Sequence, residues 1–230
     1  MTQDTVRPSG ALSPPAPTTG WSLVLPLKPL ALAKSRLGPF AGAHRAHLAL
    51  AFALDTVTAA LACPGVSRVV VVTRDPLAGP RLAALGAVVV ADEPGGGLNP
   101  ALAHGAAYAR ALDPHAPLAA LSADLPALRP AELARVLGAV PAAGPRGGGR
   151  AFLADSPGLG TTLLACSPGA ALAPAFGGGS RARHAAGGAH EIGLTDVHSV
   201  RRDVDTGEDL AQALALGVGP YTTAAAAALA

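Results

Sequence analysis

Charge is scarce in this chain. Of its 230 residues, 14% are Asp, Glu, Lys or Arg, against about 25% in an average globular protein. Lys plus Arg number 17 and Asp plus Glu 15, a net charge of only +2. The basic clusters are short, Lys34-Ser35-Arg36 and Arg201-Arg202. A nucleic-acid polymer calls for a basic patch or stripe, so any nucleotide held here is expected to be a mononucleotide. Cysteine is nearly missing: Cys63 and Cys166 have neither CxxC spacing nor a histidine pattern beside them. That argues against a zinc site or a disulfide framework and for two small buried thiols in a reducing compartment. No run of about 18 unbroken apolar residues occurs, so no membrane-spanning helix is expected. The first residues also have no apolar core of signal-peptide length. These absences make a cytoplasmic protein with no membrane and no nucleic-acid partner the expectation.

What is present is apolar and punctuated. Half the residues are hydrophobic, and 28 glycines and 22 prolines interrupt them. The length suits one domain, set here as residues 21–217. The Pro-rich segment 1–20 reads as a disordered tail and the alanine-rich segment 218–230 as a frayed one. Short β-branched or apolar runs, Trp21–Leu27, Val69–Thr73, Ala87–Ala91 and Ala116–Ser122, alternate with helical spacing over His44–Leu61, Pro80–Leu85 and Asn99–Leu112. Runs of this kind suit parallel strands buried on both faces. Further on, Ala151–Ala154 and Thr161–Cys166 read as strands, and Glu132–Val140, Arg181–Ala186 and Glu208–Leu216 as helices, with a flexible turn at Gly147-Gly148-Gly149. The fold class predicted is α/β: a single Rossmann-like domain with a mostly parallel mixed sheet and helices on both faces.

Ligands of open parallel sheets bind beyond the carboxyl ends of the strands, and four polar groups fall there. After the first strand, Lys28, Lys34 and Arg36 put three cations within nine residues, suited to the phosphates of a nucleoside triphosphate. The glycine pattern of a Walker loop is missing. After the fourth strand, Ala123-Asp124-Leu125-Pro126 offers a carboxylate for a divalent cation. Asp203 and Asp205 share one side of an extended segment, while Thr206 and Asp209 have the spacing of a helix cap and its acidic partner. Finally, Asp155-Ser156-Pro157-Gly158-Leu159-Gly160-Thr161-Thr162 and Phe176-Gly177-Gly178-Gly179-Ser180-Arg181 form two glycine-rich stretches. Their amides can approach an anion, with Ser180 expected to cap the next helix. Each group alone has a plain structural alternative: a solvated loop, a turn, a cap, or ordinary glycine turns.

In order along the chain stand PLKPLALAKSRL, GLNPAL, SADLPAL, GLGTTLL, FGGGSRARH and DVDTGEDL. The series resembles the 2-phospho-L-lactate and phosphoenolpyruvate guanylyltransferases of deazaflavin coenzyme F(420) biosynthesis, from about Leu23 to Leu216. The resemblance implies that GTP donates GMP to the phosphate of a small acid with release of diphosphate, and that Mg is the cofactor. It implies Asp124 and Asp205 as metal carboxylates, and Thr162, Gly177 and Ser180 as the acceptor-phosphate pocket. Lys28 and Lys34 would meet the triphosphate, and Gly97, Leu98 and Asn99 would shape the guanine pocket. It also implies a downstream transferase that consumes the unstable product. Phosphoenolpyruvate is the favoured acceptor, with 2-phospho-L-lactate and 3-phosphoglycerate open. A cytidylyl- or molybdopterin-type nucleotidyltransferase and a non-catalytic nucleotide-binding protein are the alternatives.

Overall fold

The computed structural model describes residues 20–92, 95–141 and 149–229. The expected N-terminal tail up to residue 19 and the Gly147-Gly148 turn lie outside them. The central run of strands and helices is β1 (Trp21–Pro26), α1 (Gly38–Ala41), α2 (Arg45–Leu61), β2 (Val66–Val72), α3 (Ala78–Ala84), β3 (Val88–Val90), α4 (Leu98–Leu112), β4 (Leu118–Leu121) and α5 (Pro130–Gly138). It continues with β5 (Arg150–Ala154), β6 (Thr161–Cys166), α6 (Ser180–Ala186), β7 (His190–Glu191), α7 (His198–Arg201), α8 (Gly207–Leu216) and α9 (Pro220–Ala227).

The seven strands form one sheet in the order β3-β2-β1-β4-β6-β5-β7. β1 is parallel to β2 and β4, and β2 to β3, whereas β6 runs antiparallel to both β4 and β5. Successive side chains on a strand point to opposite faces, and the core divides accordingly. Leu23, Leu25, Val69, Val71 and Leu121 pack on one side with residues of α2, α3 and α5. Val24, Val70, Val72, Leu118 and Ala120 pack on the other with α4 residues Leu102, Ala106 and Ala109. This two-sided burial is why the strands read as continuous apolar runs. β5 is parallel to β4, so the ends of β1, β4 and β5 and the start of β6 all reach one edge of the sheet.

Two expectations are corrected. The segment taken as a frayed tail holds α9, which packs on α2 with Thr222 and Ala225 buried. The buried Asp55 of α2 accepts the N–H groups of Tyr221 (3.1 Å) and Thr222 (2.7 Å), satisfying the first turn of α9. Composition hid this, because an alanine tract carries no periodic pattern and its cap lies 166 residues away. Ser180 does not cap α6. Gly179, left-handed at φ 70°, precedes the helix, and Ser180 is its buried first residue. α7 and β7 carry too few residues for a pattern to register.

Candidate active site

A cavity of about 650 Å³ opens at that edge of the sheet. Lys28, Lys34, Arg36, Asp124, Gly177, Ser180 and Asp205 all line it, drawn from four separate stretches of the chain. Its centre is ionic. The Lys34 ammonium donates to Asp124 Oδ2 and to Asp205 Oδ1, the latter at 2.7 Å, and Arg36 Nη2 lies 3.5 Å from Asp205 Oδ2. Burial opposes the Lys34 charge, but Asp124 and Asp205 outweigh it and hold the pKa above the ordinary lysine value. Burial likewise pushes the Asp205 carboxyl up, and Lys34 more than reverses it, so Asp205 stays ionised.

The backbone explains how these groups meet. Asp124 follows β4, and its carbonyl accepts the Val204 N–H at 3.1 Å. That bond lays the 203–205 segment alongside: Val204 is buried in a third apolar cluster with Leu37, Phe52 and Leu210. Asp203 and Asp205, on the other side of the segment, line the cavity. Thr206 and Asp209 form the expected capping box on α8. Asp203 also belongs to the site. Burial first, then the Asp124 charge, push its carboxyl up to about 7.

Lys34 is one of two non-glycine residues with a left-handed backbone among those described, at φ 56°, a conformation that costs about 1 kcal/mol or more in ordinary residues. The loop before it is tied down on both sides. Asp75 Oδ2 accepts the Leu30 N–H at 2.7 Å while its Oδ1 accepts Leu77 and Ala78 at the start of α3. Arg45, at the start of α2, donates to the carbonyls of Ala31 and Ala33. Neither Asp75 nor Arg45 stands out in the sequence, since a lone charge beyond a strand carries no motif.

The opposite wall is the glycine-rich loop. Gly177 has φ 118°, a conformation open in practice to glycine alone. Asn99 grips this loop: its Oδ1 accepts the Phe176 N–H at 2.7 Å and its Nδ2 donates to the Phe176 carbonyl at 3.1 Å. Gly97 and Asn99, expected near the guanine base, do not line the cavity, whereas Leu98 between them does. At β6 the residue in the wall is Thr161, not Thr162. Thr162 is fully buried and its Oγ1 has no hydrogen-bond partner among the described residues. The cause is a register shift: Leu153 pairs with Leu163 but Ala154 with Thr161. Two β6 residues thus oppose one of β5, and a bulge of this kind re-aims a side chain.

A basic loop and paired carboxylates facing a glycine-rich loop at the end of a mostly parallel sheet suit a nucleotidyltransferase. Comparison with known proteins agrees. Residues 34–193 match the MobA-like NTP transferase domain. The chain is 65% identical over 210 residues to the phosphoenolpyruvate guanylyltransferase of Streptomyces coelicolor, covering 91% of this chain and 97% of that relative. It is 61% identical over 207 residues to the enzyme of the same name from Thermomonospora curvata, covering 90% and 89%. Among solved structures, a nucleotidyl transferase from Methanothermobacter thermautotroptrophicus superposes with TM-score 0.55 at 18% identity over 84% of this chain and 95% of that one. A 4-diphosphocytidyl-2C-methyl-D-erythritol synthase does so with TM-score 0.54 at 14% identity, over 86% and 99%. The chain belongs to the MobA-like NTP transferases and, among them, to the family of the phosphoenolpyruvate guanylyltransferases.

Proposed function

We propose that this enzyme transfers GMP from GTP to the phosphate of phosphoenolpyruvate, giving enolpyruvyl-diphospho-guanosine and diphosphate, as a step of deazaflavin coenzyme F(420) assembly. The observation that carries the reading is that one cavity is lined both by the Lys34–Asp124–Asp205 centre and by the Gly177–Ser180 loop, so two phosphorylated reactants have adjoining places. The names borne by relatives 61–65% identical over nearly their whole length support the same pair of substrates.

An oxygen of the acceptor phosphate attacks the α-phosphorus of GTP, and the bond from that phosphorus to the bridging oxygen breaks, so diphosphate leaves with the electron pair. No protein base is needed, because the attacking oxygen is already anionic at neutral pH. The barrier the protein must lower is repulsion between two polyanions. Lys28 and Arg36, both exposed at the cavity, and the partly buried Lys34 supply the opposing charge. Gly177, Ser180 and the Thr161 hydroxyl hold the acceptor, and the tethered loops keep the reactants aligned.

A divalent cation suits Asp124 and Asp205. Such ions take oxygen ligands, and magnesium makes do with one or two carboxylates plus substrate phosphates. The two carboxylates already converge on a single cationic point, the Lys34 ammonium. Bound there, magnesium would neutralise phosphate charge.

The test is diphosphate release from GTP and magnesium with phosphoenolpyruvate, 2-phospho-L-lactate and 3-phosphoglycerate in turn, coupled to a downstream transferase that consumes the unstable product. Release with phosphoenolpyruvate alone is expected. Release with another of the acids moves the acceptor assignment, and GTP binding without release for any acid refutes the enzymatic reading.

A further inference from the structure

His184 lies outside the cavity lining yet touches both parts of the acceptor wall. It is 3% exposed on α6. Its Nδ1 is 3.0 Å from Thr161 Oγ1, and its Nε2 accepts the Ala175 N–H at 3.0 Å. A backbone N–H can only donate, so Nε2 is the bare nitrogen of a neutral ring and Nδ1 carries the proton. Nδ1–H therefore donates to Thr161. Burial, with the charges of Arg183 and Arg150, lowers the imidazole pKa to about 4, so the ring remains neutral at pH 7. The rings of Phe152 and Phe176, with centroids at 5.9 and 5.0 Å, hold its plane.

A threonine hydroxyl has one proton and two acceptor sites. With His184 donating to its oxygen, the Thr161 proton is left for a different partner, and the cavity lies at that residue. Ala175, held by the other nitrogen, is the residue before Phe176 and so opens the glycine-rich loop, whose far end is the helix that carries His184 itself. One buried ring thus fixes the hydroxyl, the entry to the loop and the exit from it.

We infer that His184 is a positioning residue for the acceptor acid, aiming the Thr161 hydroxyl proton into the cavity and setting the Ala175–Ser180 loop without touching a reactant. The inference rests on the reading of Thr161 and that loop as the acceptor pocket. None of the hydrogen bonds of His184 reaches Lys28, Lys34, Asp124 or Asp205. Its loss is therefore felt by the acid and not by GTP.

The experiment compares wild type with His184→Asn, His184→Gln and His184→Phe, measuring KM for phosphoenolpyruvate and for GTP separately, with thermal unfolding to confirm that each is folded. An Asn amide reaches the place of Nδ1 and can still donate to Thr161. A Gln amide reaches the place of Nε2 and retains only the Ala175 contact. A hydrogen bond to a charged group is worth about 1.5–3 kcal/mol, so misdirecting the Thr161 proton should raise the acid KM about 10- to 100-fold. His184→Gln and His184→Phe are expected to show that rise with the GTP KM within about twofold, and His184→Asn, which gives up only the Ala175 contact, to recover the part due to Thr161. In Thr161→Val, adding His184→Gln should cost little further. An acid KM unchanged in folded His184→Gln, or acid and GTP KM values rising together, overturns the inference. Should His184→Phe not fold, the Gln and Asn pair decides. Wild type that turns over with none of the acids refutes instead the acceptor reading, and this inference with it.

Discussion

Replacing Lys34 with methionine isolates the ionic centre from the rest of the fold. The substitution keeps a side chain of similar length and removes the charge that Asp124 and Asp205 share. Removing one partner of a buried pair costs about 3–5 kcal/mol, because the other charge is left uncompensated. The Asp124 side chain is 23% exposed and that of Asp205 40%. Water screens the second to about 1 kcal/mol or less, and the first belongs at the low end of the buried range. Together they set the loss at about 3 kcal/mol. For a domain of this size each kcal/mol moves the midpoint about 2–4 °C, so Lys34→Met should unfold about 6–12 °C below wild type in EDTA. Three carboxylates, Asp124, Asp203 and Asp205, then face one another with only the exposed Arg36, 3.5 Å from Asp205, beside them, and magnesium should raise the midpoint of the variant more than that of wild type. Thermal unfolding in EDTA and in millimolar magnesium checks both. A variant as stable as wild type in EDTA would refute the argument that Lys34 holds the carboxylates together. Equal magnesium shifts in the two proteins would refute the claim that it occupies the cation's place.

Asp124→Asn keeps the shape of its side chain and loses the charge, and should lower kcat for diphosphate release by at least about 100-fold, two steps of 1.4 kcal/mol each. Near-normal turnover would remove Asp124 from the mechanism. Asn99→Ala should raise the KM of the acid, since both amide atoms hold the Phe176 backbone, while leaving the preference for GTP over CTP intact. A changed base preference with an unchanged acid KM would restore Asn99 to the guanine pocket. The His184 pKa falls from 6.5 unfolded to about 4 folded, burial being the main cause. Below pH 6.5 the unfolded chain therefore binds more protons, and stability is lost as pH falls from 6.5 towards 4, by at most about 1.4 kcal/mol per pH unit. Asp203, raised to about 7, acts with the opposite sign in the same window. Urea unfolding at pH 7 and pH 5 should consequently show His184→Asn gaining on wild type at the lower pH, a difference in which the Asp203 contribution cancels. A constant gap between the two proteins would mean that His184 titrates as it would in water.

The sheet was legible from the sequence because it is built on short-range regularities, and the residues of the ionic centre were legible as candidates, though not that Lys34 pairs with Asp124 and Asp205, 90 and 171 residues away. Parallel strands buried on two faces read as unbroken apolar runs, and Val24, Val70 and Leu118 lie where such runs put them. In a chain so poor in charge the cations of the Lys28–Arg36 loop stood out, Asp124 followed a strand end, and the alternation that set Asp203 and Asp205 on one side is a property of any extended segment, the resemblance choosing Asp205. What stayed hidden depends on contacts between distant residues or on breaks in regularity. The α9 helix is legible only once Asp55 is known to cap it. Thr161 and Thr162 are indistinguishable in a string, and the period-2 rule that would choose between them fails at the bulge, where Ala154 pairs with Thr161. The resemblance set Asn99 beside the guanine, and in the structure both its amide atoms bond to the Phe176 backbone. The glycine-rich wall of the cavity is thus held by side chains, Asn99, His184 and Arg183, that bond to its backbone rather than face the cavity. A motif search registers such residues as neighbours of the chemistry. Their role lies in the shape they impose on the Ala175–Ser180 loop, so substitutions there should act on acceptor binding before they act on the chemical step.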